Sequence, residues 1–231
     1  MNAPDASAAE GGDPNPPEVN PADEFEKTDS LCPNRTDIDR HLFELFSPVF
    51  VHPYPDAWIE IAYADPASGG KPDQASHFSA FDLAGAAKFA EVKNKAGFNI
   101  YVGAALRQGK TTSKSKGRAS GANFLAASHA WAEFDKQGDD VRIEAILKEK
   151  NLQTAITVVT GRTPNLRAHL YFKLAASAAP EELKDANAAL MTLLGSDDIK
   201  NPDRLMRLAG TINYPTPKKT ARGYVAELVT L

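Results

Sequence analysis

Ten residues, Ala126 to Asp135 (AASHAWAEFD), constrain the fold more than any other stretch of the chain, because a largely apolar run there ends in two acids. With Ala127, Trp131 and Phe134 along it, the run predicts a strand buried in a core, with its acidic tip emerging into a cleft. Side chains at i and i+2 of a strand share a face, so Glu133 and Asp135 present two carboxylates side by side. Like charges so placed repel unless something cationic sits between them, and a hard divalent ion such as Mg²⁺ takes carboxylate oxygens. The spacing alone equally fits a strand end with one solvent-facing Glu and a turn Asp, so the rest of the chain has to decide.

From Thr36 the pattern turns helical. Ile38, Leu42, Leu45 and Phe46 recur at helix spacing behind Thr36 or Asp37 as the cap, until Pro48 ends the run. Residues 58–63 (WIEIAY) alternate like a strand, and a Gly/Pro/Ser loop follows. Residues 82–97 (DLAGAAKFAEVKNKAG) then form an Ala-rich helix between a capping Asp and a terminal Gly. Further strands are predicted at 98–102, 126–135, 154–160, 169–174 and 224–231, and helices at 141–150 and 180–194. The last helix has Pro180 near its first position, Glu181 and Glu182 in its first turn and Gly195 just past its end. Leu205, Met206 and Leu208 read as a short buried helix. Strands and helices interleave with no internal repeat, so the class is α/β or α+β.

Residues 1–30 stand apart. Rich in Pro, Ala, Asp and Glu, they lack the bulky apolar side chains that offset ordering entropy, and are expected to form a disordered acidic tail before one domain at 31–231. The tail has eight acids against one lysine, so the formal net charge of −4 hides a body with 25 basic and 22 acidic residues. Within that body, 107–118 (RQGKTTSKSKGR) holds Arg107, Lys110, Lys114, Lys116 and Arg118 and no acid. Such a segment can grip a nucleic-acid backbone by charge alone, although a charge run also serves as a solvated loop. The single cysteine, Cys32, excludes an internal disulfide and a thiolate cluster. Without an apolar span or a secretory signal, the chain is expected to be soluble and cytoplasmic, with no membrane partner.

Gly103 to Thr111 follows a strand and ends in Gly-Lys-Thr, which invites a phosphate-loop reading. Counting argues against it: that loop needs four residues between its glycines and must open a helix, whereas five separate Gly103 from Gly109 and 112–118 start a helix poorly. His169 heads a strand just after a turn with Gly161, Arg162 and Arg167, and beside Arg167 it is suited to contacting an anion. A histidine in that place serves equally as a structural donor. No His or Cys spacing suits zinc.

The series Glu133-Phe134-Asp135, Thr160-Gly161 with His169, and Gly195-Ser196-Asp197 followed by Arg204-Leu-Met-Arg207-Leu-Ala-Gly-Thr-Ile-Asn213 resembles the archaeo-eukaryotic primase (AEP) superfamily. More narrowly, it is similar to the primase-polymerase domains of plasmid and phage replication proteins, from about Asp37 to the end. The resemblance implies an N-terminal α/β lobe and an RRM-like lobe with the active site in the cleft between them. It also implies Glu133, Asp135 and Asp197 as catalytic ligands of Mg²⁺ or Mn²⁺, His169 as the phosphate contact, and Arg167 and Arg207 as further nucleotide contacts. The first acid is commonly Asp in that group, and Asp198 competes with Asp197 for the third position. The expected function is template-dependent priming or polymerisation from dNTP or NTP on single-stranded DNA, in partnership with a downstream or separate helicase. A non-catalytic single-strand-binding initiator and a metal-dependent nuclease are the alternatives.

Overall fold

The computed structural model describes residues 1, 31–50, 54–108 and 117–231, which leaves the expected acidic tail outside the described residues. Helix α1 (Arg35–Phe46) is capped by Asn34, whose side-chain oxygen accepts from the N–H groups of Thr36 and Asp37, one residue or more before the expected caps. Its apolar stripe of Ile38, Leu42, Leu45 and Phe46 is buried. Strand β1 (Ala57–Ala64) is antiparallel to β2 (Gln74–Ser79), a strand hidden in what reads as a polar loop. Every residue of β2 from Ala75 on is only half-buried, so the segment lacks the apolar alternation that announces a strand.

Helix α2 (Leu83–Lys95), capped by Asp82 as expected, leads to β3 (Asn99–Gly103) and a short β4 (Leu106–Gln108). The buried strand predicted from composition is β5 (Phe124–Phe134), and α3 (Asp139–Glu149) follows it. Strands β6 (Ile156–Gly161) and β7 (Arg167–Ala178) form the expected antiparallel pair. Helix α4 (Pro180–Leu194) starts with Glu182 reaching back to the N–H of Ala179 and ends at Gly195 in the left-handed region.

Leu205–Arg207 is strand β8, paired with β3 so that Met206 meets Val102 and Arg207 meets Tyr101; the helix expected there does not form. Edge pairing against β3 outweighs the helical spacing of three apolar residues, which is too short to nucleate a stable turn. A short β9 (Ile212–Asn213), α5 (Pro217–Thr220) and β10 (Glu227–Leu228) complete the chain, so the expected closing strand at 224–231 is reduced to two residues paired with β9. Between β8 and β9, Gly210 has φ +79° and lies where an added Cβ would collide with the backbone of Asn34 and Ile38, so glycine is required there.

The strands share one sheet in the order β6-β7-β5-β4-β1-β3-β8, with β2 on β1. The two lobes expected from the resemblance are therefore two groups of strands, β6-β7-β5 and β4-β1-β3-β8, joined where β4 pairs with β5. Cross-links draw β6 toward the segment after β8: Asn213 donates to the carbonyl of Thr160 at 2.8 Å, and Val159 pairs with Thr230. On one face of β5 and β7, Trp131 and Tyr171 join the α1 core. On the other, Ala132, Phe134, Leu170 and Phe172 pack with Ile143 and Leu194.

Candidate active site

The tip of β5 carries Glu133 and Asp135 into a polar cavity of about 180 Å³. Its walls come from both strand groups: His169 and Arg167 of β7 and Thr160 of β6 on one side, Tyr101 of β3 and Arg207 of β8 on the other. Five of the residues singled out in the sequence thus share one cavity. Arg204, Asn213 and Lys219 complete it. Lys219 sits in a Pro/Lys-rich stretch with no pattern to mark it; Tyr101 is betrayed only by its opposition to Arg207 across β3 and β8.

Glu133 is held from both sides. One carboxylate oxygen pairs with Arg204 and the other lies 3.6 Å from His169 Nε2. Burial alone pushes this carboxyl up, but His169 and Arg204 outweigh it and pull the pKa to about 2. Asp135 is in the opposite situation. Among the described residues it has no ion pair, and burial, then the charges of Asp197 and Glu133, raise its pKa.

Asp197 is fastened beside them, its N–H donating to the Glu133 carbonyl at 3.1 Å while its carboxylate takes Lys136 Nζ at 3.0 Å. Asp198 instead is largely exposed and pairs with Lys200 at 3.2 Å. Asp197 is therefore the acid that adjoins the Glu133–Asp135 pair.

These acids offer only hard oxygen donors, the chemistry Mg²⁺ or Mn²⁺ takes. They are not gathered into a cage: among the described residues, no group of three or more His, Cys, Asp or Glu side chains stands at metal-ligand spacing. Arg204 and Lys136 already neutralise Glu133 and Asp197, so Asp135, raised by its like-charged neighbours, is the carboxylate best placed to receive a cation.

Facing the acids is a set of cations. The Arg207 guanidinium lies over the Tyr101 ring, 4.3 Å from its centroid, and its Nη1 is buried with no partner among the described residues. Burial lowers the pKa of Arg207 and that of Lys219, the latter helped by Arg207 and Arg167. Arg167 lines the cavity but is committed elsewhere: Nη2 pairs with Glu227 at 2.9 Å, Nη1 donates to the carbonyl of Thr163 at 2.6 Å, and the guanidinium covers Tyr224. A Cβ on Gly161 would fall on that guanidinium, which explains the glycine after Thr160.

The basic segment departs from expectation. Lys110, Lys114 and Lys116 lie outside the described residues. Arg107 is no surface residue: fully buried, it pairs with buried Glu60 at 3.3 Å and donates to the carbonyl of Pro202 at 2.9 Å. Arg118 also turns to Glu60, at 2.7 Å, and to the carbonyl of Pro72. Local sequence hides this because the neutralising carboxylate lies on β1, some fifty residues away. Neither arginine is thereby a free grip on nucleic acid.

Fold and cavity together are those of an AEP primase-polymerase catalytic domain. Among solved structures, the AEP domain of the cyanophage S-2L primase-polymerase matches with a TM-score of 0.58 at 19% identity, over 87% of this chain and 91% of that one. Primase RepB′ matches with 0.55 at 13% identity, over 84% of this chain and 55% of that one. The RepB′ catalytic domain in complex with initiator DNA gives 0.53 at 15% identity, over 84% and 82%. No protein-family model matches the sequence, and neither does a curated protein. No helix among the described residues is long and apolar enough to cross a membrane.

Proposed function

We propose that the chain is a template-dependent nucleotidyltransferase that starts or extends a nucleic-acid strand from dNTP or NTP on single-stranded DNA, as a primase-polymerase of a mobile replicon. The observation that carries the reading is the cavity itself. It sets the unpaired carboxylate of Asp135, next to Asp197, opposite a buried arginine nitrogen of Arg207 without a partner. Carboxylates facing unsatisfied cations fit a substrate that is at once metal-binding and anionic, as a nucleoside triphosphate is.

Arg207 and Lys219 would hold the triphosphate, and His169 would donate from Nε2 to one of its oxygens. Tyr101, beneath Arg207, fixes where that guanidinium points. Mg²⁺ or Mn²⁺ bound at Asp135 and Asp197 would lower the barrier to in-line displacement of pyrophosphate by a 3′-hydroxyl. Glu133 keeps His169 and Arg204 at the cavity mouth, and becomes a third ligand where Arg204 yields to the nucleotide. Lys110, Lys114 and Lys116 remain the proposed template contacts, with binding that weakens steeply in salt. A helicase, downstream or separate, is the proposed partner that exposes the template.

An assay on a primerless single-stranded template, with each nucleotide type and each metal, tests this. Incorporation by the wild type that Asp135→Ala abolishes, with DNA binding retained, is expected. Synthesis that persists in Asp135→Ala overturns the assignment.

A further inference from the structure

Behind the cavity, the face that β5 and β7 turn toward α1 carries an unusual density of polar groups for a core. Tyr171 follows His169 by two residues on that face, and α1 lays His41 over it, with the His41 and Tyr171 rings 5.7 Å apart at 71°. All three residues are almost completely buried. Each has one buried polar atom without a partner among the described residues: His41 Nε2, the Tyr171 hydroxyl and His169 Nδ1. Three such atoms side by side in a core are costly unless they satisfy one another.

Their polarity is fixed from one end. His41 Nδ1 accepts the N–H of Ala209 at 3.0 Å, and an amide can only donate. Burial, with His169 and His129 nearby, lowers the His41 pKa to about 3, so the ring is neutral and its proton must sit on Nε2. That N–H points into the cluster as a donor. The neighbouring His129 does not compete for it, because its Nδ1 is engaged by Ser128 Oγ at 2.9 Å.

We infer that His41 and Tyr171 form a one-way hydrogen-bond relay that sets the tautomer of His169. His41 Nε2–H donates toward the Tyr171 oxygen and the Tyr171 O–H toward His169 Nδ1. The atoms are not in direct contact, so an internal water bridges them, as such waters do between two to four buried polar partners. With Nδ1 accepting, the neutral His169 ring carries its proton on Nε2, the nitrogen that faces Glu133 and the cavity. A backbone amide in the segment between β8 and β9 thereby dictates that the histidine offers a donor, not a lone pair, to an anion. His41 and Tyr171 are positioning residues, and the catalytic consequence rests on the function proposed above; the tautomer does not.

Long-range ¹H–¹⁵N correlation spectra of ¹⁵N-labelled protein read the tautomer directly, and with five histidines in the chain His169→Gln identifies the resonance. The wild type is expected to show His169 protonated on Nε2, and Tyr171→Phe, which keeps the ring and removes only a hydroxyl without a protein partner, to convert it to a mixture of tautomers. A wild-type His169 protonated on Nδ1 overturns the relay, as does a tautomer unchanged in Tyr171→Phe. The wild-type spectrum is decisive by itself should that variant fail to fold. Where incorporation is observed, Tyr171→Phe is expected to raise the nucleotide KM by roughly three- to tenfold, the loss of about one hydrogen bond, with kcat little changed. Absence of incorporation by the wild type overturns the functional reading alone.

Discussion

The main-chain N–H of Asp197 donates to the carbonyl of Glu133 across 3.1 Å, tying the segment after α4 to the end of β5. Because this tie is made by backbone, it survives any change of side chain at position 197. Asp197→Ala should therefore fold normally and lose roughly 100-fold or more in incorporation, the scale on which a misplaced reacting group costs rate. Asp198→Ala, which removes only an exposed pair with Lys200, should stay within about twofold of wild type. Steady-state incorporation by the two variants checks both; equal losses would show that the acids are interchangeable.

Asp135 and Glu133 respond to pH with opposite sign. The raised pKa of Asp135 means the folded chain holds its proton more tightly than the unfolded chain, so its contribution to stability is present at low pH and lost as pH rises through the raised value. Asp135→Asn should thus be at least as stable as wild type at pH 7 without divalent ions, while inactive. Glu133, pulled down to about 2, contributes stability that is present above its ordinary value of 4.5 and lost as pH falls toward 2. Glu133→Gln should accordingly show less loss of stability over that acid range. Thermal unfolding followed across pH checks both signs.

What the sequence discloses divides along physical lines. Elements with strong local signals, such as the stripe of α1, the Pro180 and Gly195 ends of α4 and the apolar run of β5, stand close to where they are read. The acids, His169 and Arg207 are legible because each sits at the end of a recognisable element or in the Arg-Leu-Met-Arg-Leu-Ala-Gly-Thr-Ile-Asn stretch. Strands β2 and β8 are not legible, since pairing with β1 and β3 supplies what their own sequences lack. Nor is the burial of Arg107, which depends on Glu60 far away in the chain, or the arrival of Lys219 in the cavity through a turn without periodicity.

Glu60 gathers three donors inside the core: Arg107, Arg118 and the N–H of Ala119 at 2.9 Å. Removing the carboxylate strands the buried Arg107 guanidinium, whose pKa burial already lowers. Glu60→Ala is expected to cost about 3–5 kcal/mol of unfolding free energy, as when one partner of a buried pair is deleted. Chemical denaturation monitored by circular dichroism measures it; a cost under about 1 kcal/mol would mean that solvent reaches the pair.

Arg167 and Arg207 line the same cavity, yet only one is free to meet a substrate. Glu227 neutralises Arg167 and also accepts the N–H groups of Arg162 and Thr163, so Arg167→Ala removes a clamp between the β6–β7 turn and the C-terminal segment. Its expected effect is on stability, about 1–3 kcal/mol for hydrogen bonds to a charged group. Arg207 has a buried nitrogen without a partner among the described residues and rests on Tyr101, so Arg207→Ala should leave stability nearly intact and raise the nucleotide KM. The increase should be roughly tenfold or more, the worth of one charge-assisted contact, and Arg207→Lys should restore it only in part because an ammonium lacks the planar fork. Nucleotide titrations paired with thermal unfolding of the variants separate the two roles, and a KM effect as large in Arg167→Ala as in Arg207→Ala would show that Glu227 releases its arginine when substrate binds.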